Sequence, residues 1–134
     1  MDEAKENNWL NIAKEAAKKA GEKILQIYGN EFSVSYKEDK SPLTIADQKS
    51  NDIIESYLLK TKIPILSEEG KLTEYKDRKN WKLLWIVDPL DGTKEFVKRN
   101  GEFTVNIALV KNGKPILGVI FVPVKGWLYY GSSN

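Results

Sequence analysis

The 134-residue sequence has no histidine and no cysteine. These two absences exclude more than any total does, because His and Cys supply most nucleophile–base pairs and most soft-metal ligands. Ser-His-Asp triads, cysteine-protease and cysteine-phosphatase chemistry, phosphohistidine transfer, zinc fingers, iron–sulfur clusters and His-ligated haem cannot be built from these residues. A dominant charge is also lacking. The 21 Lys+Arg against 19 Asp+Glu leave a net charge of +2, too weak a field to indicate a nucleic-acid partner. No apolar run reaches membrane-spanning length, and the opening residues, MDEAKENNWL, lack the basic-then-apolar order of an export signal. No membrane span is expected, and a cytoplasmic location is the default. What remains for chemistry is carboxylates, hydroxyls and hard cations.

With 41% hydrophobic and 30% charged residues, the chain reads as one globular unit able to bury a core without disulfides. Apolar residues at Trp9, Ile12, Ala13, Ala16, Ala17, Ala20, Ile24 and Ile27 have helical spacing, which predicts a helix over 8–28 stopped by Gly29-Asn30. Residues 32–36 read as a strand-like piece and 37–41 as a loop. A second helix is expected from Ile45, Ile53, Ile54, Tyr57 and Leu58, ending near Lys60. Thr44 reads as its cap, with Asp47 three residues on, where a carboxylate can reach back to the capping N–H.

The period then changes, and residues 63–66, 83–87, 103–110, 116–122 and 127–130 read as strands. Asn112-Gly113 signals a tight hairpin between the third and fourth, because both turn positions need positive φ. Two helices followed by a run of strands predict an α+β fold with the two amino-terminal helices packed on one face of a mainly antiparallel sheet.

The chemistry concentrates in Trp85-Ile86-Val87-Asp88-Pro89-Leu90-Asp91-Gly92-Thr93. An apolar strand here delivers two carboxylates three residues apart, whose repulsion a cation would relieve. Ile65-Leu66-Ser67-Glu68-Glu69-Gly70 repeats the design. If the two strands lie side by side, Glu68, Asp88 and Asp91 converge on a site suited to Mg²⁺, which prefers oxygen ligands and often bridges to substrate phosphate. Gly92 and Thr93 fall where a turn enters the polar helical pattern Lys94–Lys98, and free N–H groups at a helix start suit a phosphate oxygen. Paired acids after a strand are also ordinary turn residues, and Glu68-Glu69 alone says no more than that. Pro89 and Gly92 fix the backbone around Asp88 and Asp91, which favours the metal reading there. For Asp47, capping and catalysis are compatible. No P-loop or G-x-G-x-x-G spacing occurs, and D-x-x-D is not the D-x-D of phosphoaspartyl phosphatases, so direct attack by an activated water fits better.

At these residues the sequence resembles the inositol monophosphatase superfamily of Mg²⁺-dependent, lithium-sensitive phosphatases, marked by an acidic pair followed by D-P-[LI]-D-G-T. The likeness is strongest to its 3'(2'),5'-bisphosphate nucleotidase branch. It runs through WIVDPLDGTKEFVKRNGEFTVNIALVKNGKPILGVIFVPV, with Ser41-Pro-Leu-Thr44-Ile-Ala-Asp47 and Leu66-Ser-Glu68-Glu69 matching two upstream motifs.

The resemblance implies the first half of a layered αβαβα sugar-phosphatase fold. Glu68, Asp88, the Leu90 carbonyl and Asp91 would bind Mg²⁺, and the Gly92 and Thr93 amides would hold phosphate. Asp47 would accept from the Thr93 hydroxyl, so that Glu68 and the Thr93–Asp47 pair orient and deprotonate water as catalytic residues. The implied substrate is a small phosphomonoester, the nucleotide bisphosphate 3'-phosphoadenosine 5'-phosphate, cleaved to AMP and phosphate in sulfur assimilation. An inositol or other sugar phosphatase is the enzyme alternative. Family members carry a carboxyl-terminal half with a W-D-x-A motif whose Asp binds metal. Here Trp9, Trp81, Trp85 and Trp127 precede Leu, Lys, Ile and Leu. Residues 1–134 therefore read as an amino-terminal metal-binding domain without that half. Self-association or a partner supplying the missing half is expected, and a catalytically inactive metal-binding module is the remaining alternative.

Overall fold

A computed structural model of the chain describes residues 3–29, 42–67, 82–98 and 100–133. The expected strand at 32–36, the loop at 37–41, and Asn30 lie outside the described residues. Helix α1 (Glu3–Gly29) begins five residues before the expected start at residue 8, with Glu3 and Glu6 in the first turn, where negative charge complements the helix dipole. Its buried hydrophobic residues, Trp9, Ala13, Ala16, Ala17, Ala20 and Ile24, form one stripe. Small side chains in the middle of that stripe let the helix approach the sheet closely. Gly21 carries this furthest, because a Cβ there would lie 2.4 Å from the Phe121 ring.

Helix α2 (Pro42–Leu58) is followed by a 3₁₀ turn (Leu59–Thr61). The helix starts two residues before Thr44, so Thr44 lies in its first turn and is not its cap. Proline opens the helix readily because its ring presets φ and the first-turn N–H groups have no helical acceptor. Ala46, Ser50, Ile54 and Leu58, spaced by four, are fully buried.

Among the described residues five strands, β1 (Ile65–Ser67), β2 (Leu83–Asp91), β3 (Thr104–Lys111), β4 (Lys114–Val122) and β5 (Trp127–Ser132), form one sheet in sequential order. β1 and β2 are parallel, and every other pair is antiparallel. The sheet is therefore mainly antiparallel, as the element order implies. Asn112 (φ 51°) and Gly113 (φ 81°) turn β3 into β4 in the left-handed region that this hairpin requires.

Both long helices lie on one face of the sheet, α1 over β3, β4 and β5 and α2 over β1 and β2. Trp85, Val87, Val105, Ile107, Leu109, Leu117, Val119 and Phe121 are buried in the core. Alternating residues face the other way, and Ile86, Ile120 and Tyr129 stay 43%, 46% and 53% exposed. At one end of β2 the Trp85 indole Nε1 donates to Thr61 Oγ1 at 2.9 Å, tying the strand to the 3₁₀ turn. The other end carries the acids.

Candidate metal and phosphate site

In a regular strand, acids three residues apart project to opposite faces. β2 avoids this with a bulge. Asp88 pairs with Asn106 and Asp91 with Thr104, so β2 spends three residues where β3 spends two. The extra residue returns both carboxylates to one side of the sheet, the side away from the helices. The sequence pattern places the acids beyond a strand ending at Val87. In the structure they are part of the strand, and the irregularity that makes them neighbours sits between them.

Asp91 is exposed and Asp88 half-buried, with Asp88 Oδ1 closed off from solvent. Asn106 donates from Nδ2 to Asp91 Oδ2 at 3.4 Å and to Thr104 Oγ1 at 3.2 Å. Between the acids Pro89 and Leu90 are buried, and the Pro89 carbonyl accepts from Ser50 Oγ of α2 at 2.7 Å. The acids thus face the open side of the sheet while the backbone between them is fastened to the helical layer. On the open side a groove of ≈ 550 Å³ reaches Asp88, lined also by Ile86, Asn106, Ile120 and Tyr129 among others.

Gly92 turns the chain out of β2 with φ 91°, and a Cβ there would sit 3.2 Å from Phe103 Cα and 3.3 Å from the Glu102 carbonyl. Only glycine fits this conformation without strain. The short helix α3 (Thr93–Lys98) follows, and its first bond runs from the Phe96 N–H to the Gly92 carbonyl at 3.0 Å. Phe96 anchors α3, with its ring 5.4 Å from that of Tyr28 and 5.3 Å from that of Phe103. Thr93 itself is exposed at the start of α3.

Asp47 lies on α2, half-buried, one turn before Ser50 and Asn51 and on the same side of the helix. Glu68 and Glu69 lie outside the described residues. The two strands that lead to the acids do lie side by side, with Ser67 opposite Val87 in parallel register. Among the described residues, no three His, Cys, Asp or Glu side chains group closely enough to hold a metal. The described structure therefore brings Asp88, Leu90 and Asp91 together with Gly92 and Thr93 on one bulged turn and sets Asp47 on the adjoining helix. Carboxylate and carbonyl oxygens are hard donors of the kind Mg²⁺ takes, and the glycine-only turn beside them has no side chain of its own, Glu95 Oε2 lying 3.2 Å from where a Cβ would stand. These residues fit a magnesium–phosphate site.

Three polar residues near the site carry no motif signal: Ser50, Asn51 and Asn106. Ser50 had one clue available, since it interrupts the four-residue repeat Ala46, Ile54 and Leu58 on the buried face of α2.

The fold is that of the inositol monophosphatase family, and the chain belongs to that family, whose profile matches residues 5–134. Among its relatives, the 3'(2'),5'-bisphosphate nucleotidase CysQ of Salmonella typhimurium is 48% identical over 122 residues, covering 88% of this chain and 49% of that protein. The crystal structure of CysQ from Bacteroides thetaiotaomicron superposes with a TM-score of 0.85 at 57% identity over 92% of this chain and 45% of that one. An inositol monophosphatase from Anabaena has the same fold, with a TM-score of 0.73 at 28% identity over 96% of this chain and 43% of that one. The chain spans about half the length of the curated relatives it matches. Among the described residues, no helix is long and apolar enough to cross a membrane.

Proposed function

We propose that residues 1–134 are the amino-terminal metal-binding domain of a Mg²⁺-dependent phosphomonoesterase that removes the 3'-phosphate of 3'-phosphoadenosine 5'-phosphate, leaving AMP and inorganic phosphate. The observation that carries this reading is the bulge in β2, which puts Asp88 and Asp91 on one side of the sheet directly before a glycine with no room for a side chain. The nucleotide specificity is supported by the 48% identity to a bisphosphate nucleotidase.

In this reading Glu68, Asp88, Asp91 and the Leu90 carbonyl hold Mg²⁺. When bound, the cation supplies positive charge against the developing phosphate charge and makes water more acidic. The chain's own residues do the rest. The Gly92 and Thr93 amides grip phosphate oxygens, Asp47 accepts from the Thr93 hydroxyl and fixes its rotamer, and Glu68 with that pair orients the attacking water and takes its proton. The exposed apolar face around Ile86, Ile120 and Tyr129 is the surface on which the chain self-associates or meets a partner completing the fold.

Phosphate release from 3'-phosphoadenosine 5'-phosphate, measured against Mg²⁺ concentration, tests the reading. The expected outcome is Mg²⁺-dependent release, inhibited by Li⁺ and lowered at least about 100-fold by Asp91→Asn, since a ligand matters no less than its outer-shell partners. A parallel assay with inositol phosphate addresses the second reading, favoured by the shared fold of the Anabaena enzyme. Metal binding without release from either substrate would make the chain an inactive metal-binding module.

A further inference from the structure

We propose that Ser50 and Asn51 are positioning residues through which α2 holds the end of β1 and the bulged end of β2 in register. The inference rests on the reading of those ends as a metal site. Ser50 is 0% exposed and Asn51 5% exposed, on a helix face otherwise built from Ala46, Ile54 and Leu58. A hydroxyl and an amide buried there are tolerated only when hydrogen-bonded.

Their partners are not spread over the core. Ser50 Oγ donates at 2.7 Å to the carbonyl of Pro89, the residue between Asp88 and Leu90. A bulge leaves backbone groups out of the ladder, and Pro89 offers no N–H of its own. The Ser50 hydroxyl therefore ties down the backbone exactly where ladder bonding is interrupted and sets the direction in which the flanking Asp88 side chain and Leu90 carbonyl leave the strand. Asn51 Oδ1 accepts from Ser67 Oγ at 2.5 Å, and Ser67 is the last residue of β1, directly before Glu68 in sequence. Asp47 lies one turn earlier on the same side. One rigid helix thus carries Asp47 and fastens the strand ends that lead to the other three carboxylates. Neither Ser50 nor Asn51 ionises, so their contribution is geometric.

The test compares Ser50→Ala and Ser67→Ala with Thr61→Val, which removes the part-buried hydrogen bond from Trp85 toward the far end of β2 together with the local bonds of the Thr61 hydroxyl to the Leu58 carbonyl and the Ile63 N–H. Each variant is examined by thermal unfolding, by amide hydrogen exchange of residues 86–93 without metal, and by Mn²⁺ binding. The expected result is faster exchange across 86–93 and about 10-fold weaker Mn²⁺ binding in Ser50→Ala, with Ser67→Ala also weakening Mn²⁺ and Thr61→Val changing neither beyond its loss of thermal midpoint. Ser50→Thr, which keeps the hydroxyl, restores exchange and affinity. Equal effects of Ser50→Ala and Thr61→Val at matched thermal midpoints would overturn the proposal. If Ser50→Ala does not fold, Ser67→Ala against Thr61→Val decides in the same way. Absence of Mn²⁺ binding by the unmodified chain would refute the metal site, and the exchange comparison would still decide whether Ser50 holds the turn.

Discussion

Asn106 stands opposite Asp88 in the ladder and donates to Asp91, so one neutral amide lies between two carboxylates. Replacing it by a third acid separates charge from shape. Asn106→Asp is expected to destabilise the metal-free chain by up to about 1 kcal/mol, the scale of like charges placed directly across a ladder. Added Mg²⁺ should recover the loss, read as a cation-dependent rise in melting temperature larger than that of the unmodified chain. A melting temperature indifferent to Mg²⁺ in both proteins would argue against a cation at this turn. Gly92 offers a second residue-scale test. Its left-handed φ and the 3.2 Å approach of Phe103 Cα predict that Gly92→Ala costs about 1–2 kcal/mol of stability, measurable by urea denaturation. A neutral Gly92→Ala would mean that the turn relaxes freely and holds no fixed cradle. Asp88, Asp91 and Gly92 stand out in the sequence because their spacing is unusual after an apolar run, and the structure gathers them on one bulged turn. Ser50 and Asn51 do not stand out in this way, since a polar residue within a helix normally faces water; Ser50 has only its place in the Ala46, Ile54 and Leu58 repeat to betray it, and Asn51 has nothing but tertiary packing.

At the scale of elements, α1 meets β4 through the contact of Gly21 with the Phe121 ring. Two effects compete in Gly21→Ala. Helix propensity favours alanine by about 1 kcal/mol, while a Cβ 2.4 Å from a ring carbon forces a displacement that typically costs about 1–3 kcal/mol. The clash should win, lowering the urea midpoint, and pairing the change with Phe121→Leu should recover most of the loss. A stabilising Gly21→Ala would show that α1 is not seated on β4 as described. Helical and alternating periods in the sequence locate both long helices and the five strands of the described residues, and the Asn-Gly pair sets the β3–β4 hairpin. Boundaries were less legible. Periodicity cannot see the first turn of α1, which is polar, or the opening of α2 at Pro42, and nothing in a sequence of acids marks a bulge. That bulge extends β2 through Asp91 and determines which side of the sheet the acids face.

For the whole molecule, the sheet has one face under helices and one carrying Ile86, Ile120 and Tyr129 in the open. Apolar surface of this kind favours association, so the chain is expected to sediment with a concentration-dependent increase in mass that Ile120→Lys suppresses without altering the circular dichroism spectrum. A strictly monomeric chain at high concentration would remove self-association from the account. The helical layer and the acid turn meet through α2, so the proposed chemistry depends on the same packing that stabilises the fold. The most direct test follows backbone amide NMR signals as Mg²⁺ and then inorganic phosphate are added. The account predicts that Mg²⁺ shifts residues 88–93, that phosphate shifts Gly92 and Thr93 only once Mg²⁺ is present, and that Asp91→Asn abolishes both responses. Mg²⁺ shifts confined to other acidic surfaces, with 88–93 unmoved, would contradict it.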